Sequence, residues 1–105
     1  GLPLLAGASS ASEAMALLEK GYSVQKFFPA EAAGGAAFIK SLSSPLPQIT
    51  FCPTGGISQK NAVNYLDSSN VECVGGSWVA PKEAISNRDW QKIEDLAKDA
   101  VRELS

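Results

Sequence analysis

Histidine is absent from this chain, and arginine occurs only at positions 88 and 102. Without histidine, the two cysteines, Cys52 and Cys73, cannot assemble the four ligands of a structural zinc site. The scarcity of arginine, the lack of any basic run and a net charge of -2 argue against nucleic acid or an anionic membrane as partner. No apolar stretch approaches the roughly 20 residues that a membrane span needs. No secretory signal is visible either, which points to the cytoplasm. In that compartment the two cysteines are expected to be reduced small hydrophobes at or near buried strands, with no disulfide between them. There is no initiator methionine: Gly1 opens within an apolar run, so the sequence reads as a piece, or the ordered part, of a longer chain.

What is present is enough for a core. Hydrophobic residues make up 45% of 105 residues, which suits one small domain. Short apolar runs alternate with helical patterns. Leu2 to Leu5 is a strand candidate, and Ser9, Ser10 and Ser12 offer caps for a helix with Ala14, Leu17 and Leu18 on one face, ended at Gly21. Val24 to Phe28 is a second strand, followed by a helix over Ala36 to Leu42. Ile49 to Cys52 is a third, followed by a helix from Gln59 to Leu66, capped by Ser58, with Ala62, Val63 and Leu66 inward. Val71 to Val74 is the fourth. After Pro81 a short turn leads to Asp89, which caps a final helix from Trp90 to Leu104.

The order is βαβαβαβα, with strands beginning about 21–25 residues apart, one βα unit each. Such strands are expected to be parallel and buried on both faces. Four units make either a small open sheet or half of an eight-stranded barrel.

Lys26 sits inside an apolar strand, where alternation places it on one face with Val24 and Phe28. Burial disfavours its charged form and supplies free amine near neutral pH, and a free amine in a dry pocket can attack a ketone to give a Schiff base. The alternative is a lysine whose ammonium reaches back to water. Thr54-Gly55-Gly56-Ile57-Ser58 lies between a strand and a helix, and Gly75-Gly76-Ser77 follows the next strand. Glycine turns let backbone N–H groups approach an anion, and two on consecutive strands suggest a phosphate site, to which Ser77 adds a hydroxyl. Each could also be an ordinary tight turn or cap. Glu31 reads as a solvated or structural carboxylate. Trp78 and Trp90 read as packing anchors, and the charged side of the last helix as a solvent face.

Taken together, Lys26-Phe27-Phe28-Pro29-Ala30-Glu31, Phe51-Cys52-Pro53-Thr54-Gly55-Gly56-Ile57-Ser58 and Val74-Gly75-Gly76-Ser77-Trp78 resemble the 2-keto-3-deoxy-6-phosphogluconate / 4-hydroxy-2-oxoglutarate aldolase family over nearly the whole chain. The resemblance implies a (β/α)8 TIM barrel of which residues 1–105 form the C-terminal (βα)4 half, within a single domain. It implies a class I aldolase using neither metal nor cofactor. Such an enzyme cleaves 2-keto-3-deoxy-6-phosphogluconate to pyruvate and glyceraldehyde 3-phosphate, with 4-hydroxy-2-oxoglutarate a possible second substrate, and is often a homotrimer. In that family the imine-forming lysine falls on Lys26, and an apolar wall of the pocket on Phe28. A substrate contact beside the imine falls on Thr54, and the phosphate pocket on Gly55, Gly56, Gly76 and Ser77.

Two departures accompany the match. The family's general base and carboxylate-binding residues belong to a first half that these residues do not contain, and Glu31 does not replace them. Where the family has a Pro-Gly-Ile-Ser-like turn, this chain has Ala6-Gly7-Ala8-Ser9. A lone half-barrel is expected to associate through its open edges and apolar inner face, and to have little activity. Two other readings stand beside the aldolase: a phosphate-binding barrel of different chemistry, and a non-catalytic half-barrel that serves as an association module.

Overall fold

The computed structural model describes residues 2–105. Its elements run β1 (Gly7–Ala8), α1 (Ala11–Glu19), β2 (Val24–Phe27), α2 (Gly35–Ser41), β3 (Thr50–Pro53), α3 (Gln59–Leu66), α4 (Lys82–Ser86) and α5 (Trp90–Leu104). The sheet order is β1-β2-β3, all parallel, with Gly7 opposite Lys26 and Lys26 opposite Cys52. No helix among the described residues is long and apolar enough to cross a membrane.

Helix starts follow side-chain chemistry. Ser10 caps α1 by accepting from the Glu13 N–H, and Ser58 with Asn61 forms a reciprocal capping box on α3. Asp89 caps α5 by accepting from the Lys92 N–H. Helix α4 occupies what the sequence suggests is a turn. At five residues it is too short to show a helical period, and the sequence offers only Pro81 at its start.

Two strand expectations fail. The run Leu2 to Leu5 is not a strand; Leu2 is 96% exposed and Leu4 65%. Counted back along the β1–β2 register, Leu5 would face Val24, and Leu2 to Leu4 extend past the beginning of β2, where no strand is available to pair with them. The fourth strand, Val71 to Val74, is reduced to two isolated parallel bridges, Phe51 to Val71 and Thr54 to Gly75. Three steps along β3 therefore oppose four steps along this segment. The additional residue breaks a regular ladder, as a bulge does.

The strands are buried on one face, not on both. In β2, Gln25 and Phe27 are fully buried under the helices, while Val24 and, just past the end of the strand, Phe28 are about half exposed. Phe27 packs tilted against Phe38 and edge-on to Phe51, with centroids 5.7 and 6.0 Å away. Burial of each such ring contributes roughly 1.5–3 kcal/mol, so the helix-covered face is the core. Within α3 the inward residues are Ala62 and Tyr65, whereas Val63, expected inside, is exposed. The apolar stripe of α5 is present, but none of its residues is buried, and Trp90 is 60% exposed, so Trp90 is no packing anchor. That stripe instead lines an apolar cleft of about 390 Å³ against Val74, Trp78 and Val79.

Candidate active site at the C-terminal edge of the sheet

The placement of Lys26 begins with its neighbour. The buried amide of Gln25 donates to the carbonyls of Ala14 and Tyr22, at 3.0 and 2.9 Å, tying β2 to α1. Because strand side chains alternate, fixing Gln25 inward turns Lys26 to the open face. Lys26 is half-buried there and is the one charged side chain in the described strands. Its ammonium lies 5.0 Å from the centre of the Phe28 ring, within cation–π range. Lys26 and Phe28 both line a cleft of about 480 Å³ whose other walls include Leu5, Gly7, Ser9 and Glu13.

Glu13 is a cleft residue that sequence reasoning missed. Its carboxylate accepts from the Ser9 N–H, the Ser9 hydroxyl and the Ser10 hydroxyl, and these bonds hold its pKa below the ordinary glutamate value, the Ser9 N–H foremost. The signal was available: Ser10-x-x-Glu13 is a capping-box pattern, and it puts Glu13 in the first turn after β1.

The glycine turns meet one another along the strand ends. Gly55 and Gly56 have φ of 106° and 73°, conformations that favour glycine. A Cβ on Gly55 would lie 3.0 Å from the Pro29 Cα and 3.1 Å from the Phe28 ring, so this turn is pressed against the end of β2. Gly75 abuts the Thr54 hydroxyl, and the Trp78 ring lies directly over Gly76. Trp78 is thus a packing residue, as expected. Thr54 bridges the segments, giving its N–H to the Phe27 carbonyl at 2.9 Å and accepting from the Ala30 N–H at 2.8 Å. Ser77 is exposed, and its carbonyl accepts from the Ala80 N–H. The structure therefore brings Lys26 and Phe28 into one cleft and presses Gly55 against Phe28, while Thr54, Gly56 and Gly75, like Gly55, do not line that cleft. Neither Gly76 nor Ser77 lines that cleft.

Glu31 braces this edge. It accepts from the Tyr65 hydroxyl and, at 3.0 Å, from the Asn61 amide, which also donates to the Gly56 carbonyl. Asn61 in turn accepts from the Ser58 N–H. Burial, then the bond to Glu31, pushes the Tyr65 hydroxyl well above the ordinary tyrosine range. With both carboxylate oxygens engaged, Glu31 is structural. Tyr65→Phe is expected to keep the buried ring and cost about 1 kcal/mol, since Glu31 itself is exposed to water. Urea denaturation measures this, and a loss above about 3 kcal/mol would mean that the bond acts as a buried ionic one.

Parallel βα units with a lysine on the open face of one strand and glycine turns at the carboxyl ends of the strands define an α/β protein whose candidate site is the C-terminal edge of the sheet. The chain belongs to the KDPG and KHG aldolase family, whose model matches residues 1–96. It is 52% identical over 101 residues to the 2-dehydro-3-deoxy-phosphogluconate aldolase of Pseudoalteromonas atlantica, a match covering 96% of this chain and 47% of that protein. The KDPG aldolase of Legionella pneumophila, solved with pyruvate captured at low pH as a covalent carbinolamine intermediate, superposes with a TM-score of 0.87 at 53% identity, covering 90% of this chain and 46% of that one. The Zymomonas mobilis enzyme, solved with 3-phosphoglycerate, gives a TM-score of 0.85 at 45% identity, covering 92% and 45%. The chain spans about half the length of the curated relatives it matches.

Proposed function

We propose that the complete protein is a class I aldolase that cleaves 2-keto-3-deoxy-6-phosphogluconate to pyruvate and glyceraldehyde 3-phosphate. In this proposal residues 1–105 are the C-terminal (βα)4 half of a (β/α)8 barrel, working in the cytoplasm as a homo-oligomer, a trimer by family resemblance. The observation that supports it most is the position of Lys26: a lysine held by register on the helix-free face of a parallel sheet, in a cleft at the strand ends. A lysine there matches what the Legionella relative does with pyruvate, which it binds covalently as a carbinolamine.

In the proposed mechanism the neutral Lys26 amine adds to the C2 carbonyl of the keto acid, giving a carbinolamine that loses water to an iminium. The cationic iminium accepts the electron pair of the breaking C3–C4 bond, while the C4 hydroxyl gives its proton to a base outside these residues. Glyceraldehyde 3-phosphate leaves, and the remaining enamine takes a proton at C3 before hydrolysis frees pyruvate and Lys26. Phe28 walls the pocket and Thr54 contacts the substrate beside the imine. The backbone N–H groups of Gly55, Gly56 and Gly76, with the Ser77 hydroxyl, receive the phosphate near the start of α3.

The test is borohydride trapping. The complete protein is incubated with pyruvate, reduced and digested, and the adduct is located by mass spectrometry. A reduced pyruvyl group on Lys26, absent from Lys26→Ala, is the expected outcome. A folded protein that yields no adduct would eliminate the Schiff-base route and leave the glycine turns as an anion site serving other chemistry.

A further inference from the structure

Three successive peptides of the turn after β3 are anchored by their carbonyls. Thr54 accepts from the Ala30 N–H at 2.8 Å, Gly55 from the Glu31 N–H at 3.1 Å, and Gly56 from the Asn61 side-chain amide at 3.1 Å. In a trans peptide the C=O and the following N–H point in opposite directions, and these peptides are trans. The anchors therefore send the N–H groups of Gly55, Gly56 and Ile57 away from Ala30, Glu31 and Asn61. Glycine offers the least steric resistance to rotation of such peptides, so their direction has to be imposed by neighbours. The first two anchors are backbone donors of the loop after β2 and depend on no side chain. The third is one side chain, Asn61.

Asn61 is itself held. Its oxygen accepts from the Ser58 N–H at 2.8 Å, and its amide nitrogen also donates to the Glu31 carboxylate at 3.0 Å. A carboxylate only accepts and an N–H only donates, so these partners fix which way the amide faces. Tyr65, four residues on and on the same side of α3, donates to the other Glu31 oxygen. The stem of Glu31 lies against the turn, since a Cβ on Gly56 would meet the Glu31 Cγ at 2.8 Å. All of these groups belong to the two βα units from Ala30 to Tyr65, so the arrangement does not depend on what covers the helix-free face.

We propose that Asn61 is a positioning residue that sets the preference for a phosphorylated over an unphosphorylated substrate, by holding the Gly56–Ile57 peptide with its N–H toward the anion. The proposal deepens the aldolase reading and rests on it for the identity of the substrate. Without the Asn61 amide the Gly56 carbonyl loses its anchor and the peptide is free to rotate. Rotation replaces an N–H donor with a carbonyl oxygen facing the phosphate, which repels where the donor attracted. Imine formation at Lys26, on β2, uses none of these groups and should be indifferent to the change.

The complete protein, isotopically labelled, is titrated with inorganic phosphate while the amide resonances of Gly55, Gly56 and Ile57 are followed. Asn61→Ala is expected to weaken phosphate binding roughly tenfold or more. Tyr65→Phe adds no charge and leaves Asn61 in place, but frees one end of Glu31, and should weaken binding roughly threefold. In turnover, Asn61→Ala should raise KM for 2-keto-3-deoxy-6-phosphogluconate by a similar factor, with kcat and the KM for the unphosphorylated sugar acid within about twofold of wild type. A general loss of structure would move both substrates alike, so an equal rise in both KM values would overturn the proposal. So would wild-type amides that ignore phosphate, or an unchanged phosphate affinity in folded Asn61→Ala. If that variant does not fold, unchanged affinity in Tyr65→Phe overturns it instead. The titration needs no turnover: absence of a pyruvate adduct on Lys26 would remove the aldolase reading, while phosphate binding still decides the role of Asn61.

Discussion

Lys26→Met is expected to abolish cleavage of 2-keto-3-deoxy-6-phosphogluconate, lowering kcat by on the order of four decades or more, which corresponds to about 5.5 kcal/mol of lost transition-state stabilisation. Methionine has similar length and no amine, so it removes the group that would form the iminium and leaves the cleft wall in place. Stability should change little. Lys26 is half-buried on the open face, away from the Phe27, Phe38 and Phe51 cluster, and makes no ion pair among the described residues. Changes at such positions usually stay within about 0.5 kcal/mol. A coupled assay for pyruvate and a urea melt on the complete protein separate the two quantities. Activity within tenfold of wild type, with an unchanged melt, would exclude Lys26 as the covalent amine.

Gly55→Ala is the second large effect. The native φ of 106° is strained for any side chain, and the new methyl would face the Pro29 Cα at 3.0 Å and the Ala30 nitrogen at 3.2 Å. Both are backbone atoms, so the neighbour cannot relieve the clash by turning a side chain. The turn itself has to shift. Strain and overpacking together should cost about 2–4 kcal/mol. The displaced turn should also weaken phosphate recognition. KM for the phosphorylated keto acid should rise roughly tenfold or more, while that for the same sugar acid without phosphate changes much less, since one lost charge-assisted hydrogen bond contributes about 1.5–3 kcal/mol. An equal rise for both substrates would place Gly55 outside the anion site.

The helices with strong local signals were legible in the sequence. Ser10, Ser58 and Asp89 announce the starts of α1, α3 and α5 through chemistry confined to one turn. Lys26 was legible for the same reason: a charged residue between Val24 and Phe28 declares its face by alternation alone. What escaped depends on other segments. The exposure of Leu2 and Leu4 follows from where β2 begins, 20 residues later. The failure of Val71 to Val74 to form a regular strand depends on the count of residues between two bridges to β3. Glu31 could be placed as structural, but its partners Asn61 and Tyr65 lie a full βα unit away, beyond what a local pattern reports. The family resemblance bridged part of this gap, since a motif of three separated segments already encodes a tertiary arrangement.

The offset between the two bridges has a consequence for how this region tolerates change. From Val71 to Gly75 the segment holds one residue more than the stretch of chain from Phe51 to Thr54 that it faces, so its two bridges do not depend on what that residue is. Exposed Glu72 should accept many substitutions, so a substitution survey would rank it among the more permissive sites. Removal of that single residue would set three steps against three, so that Val71 could still meet Phe51 and Gly75 still meet Thr54 while the segment pairs as a regular strand. Variation here is thus expected to be free in composition and to tolerate the loss of one residue, whereas loss of a second would carry Gly75 out of reach of Thr54 unless β3 shortened with it.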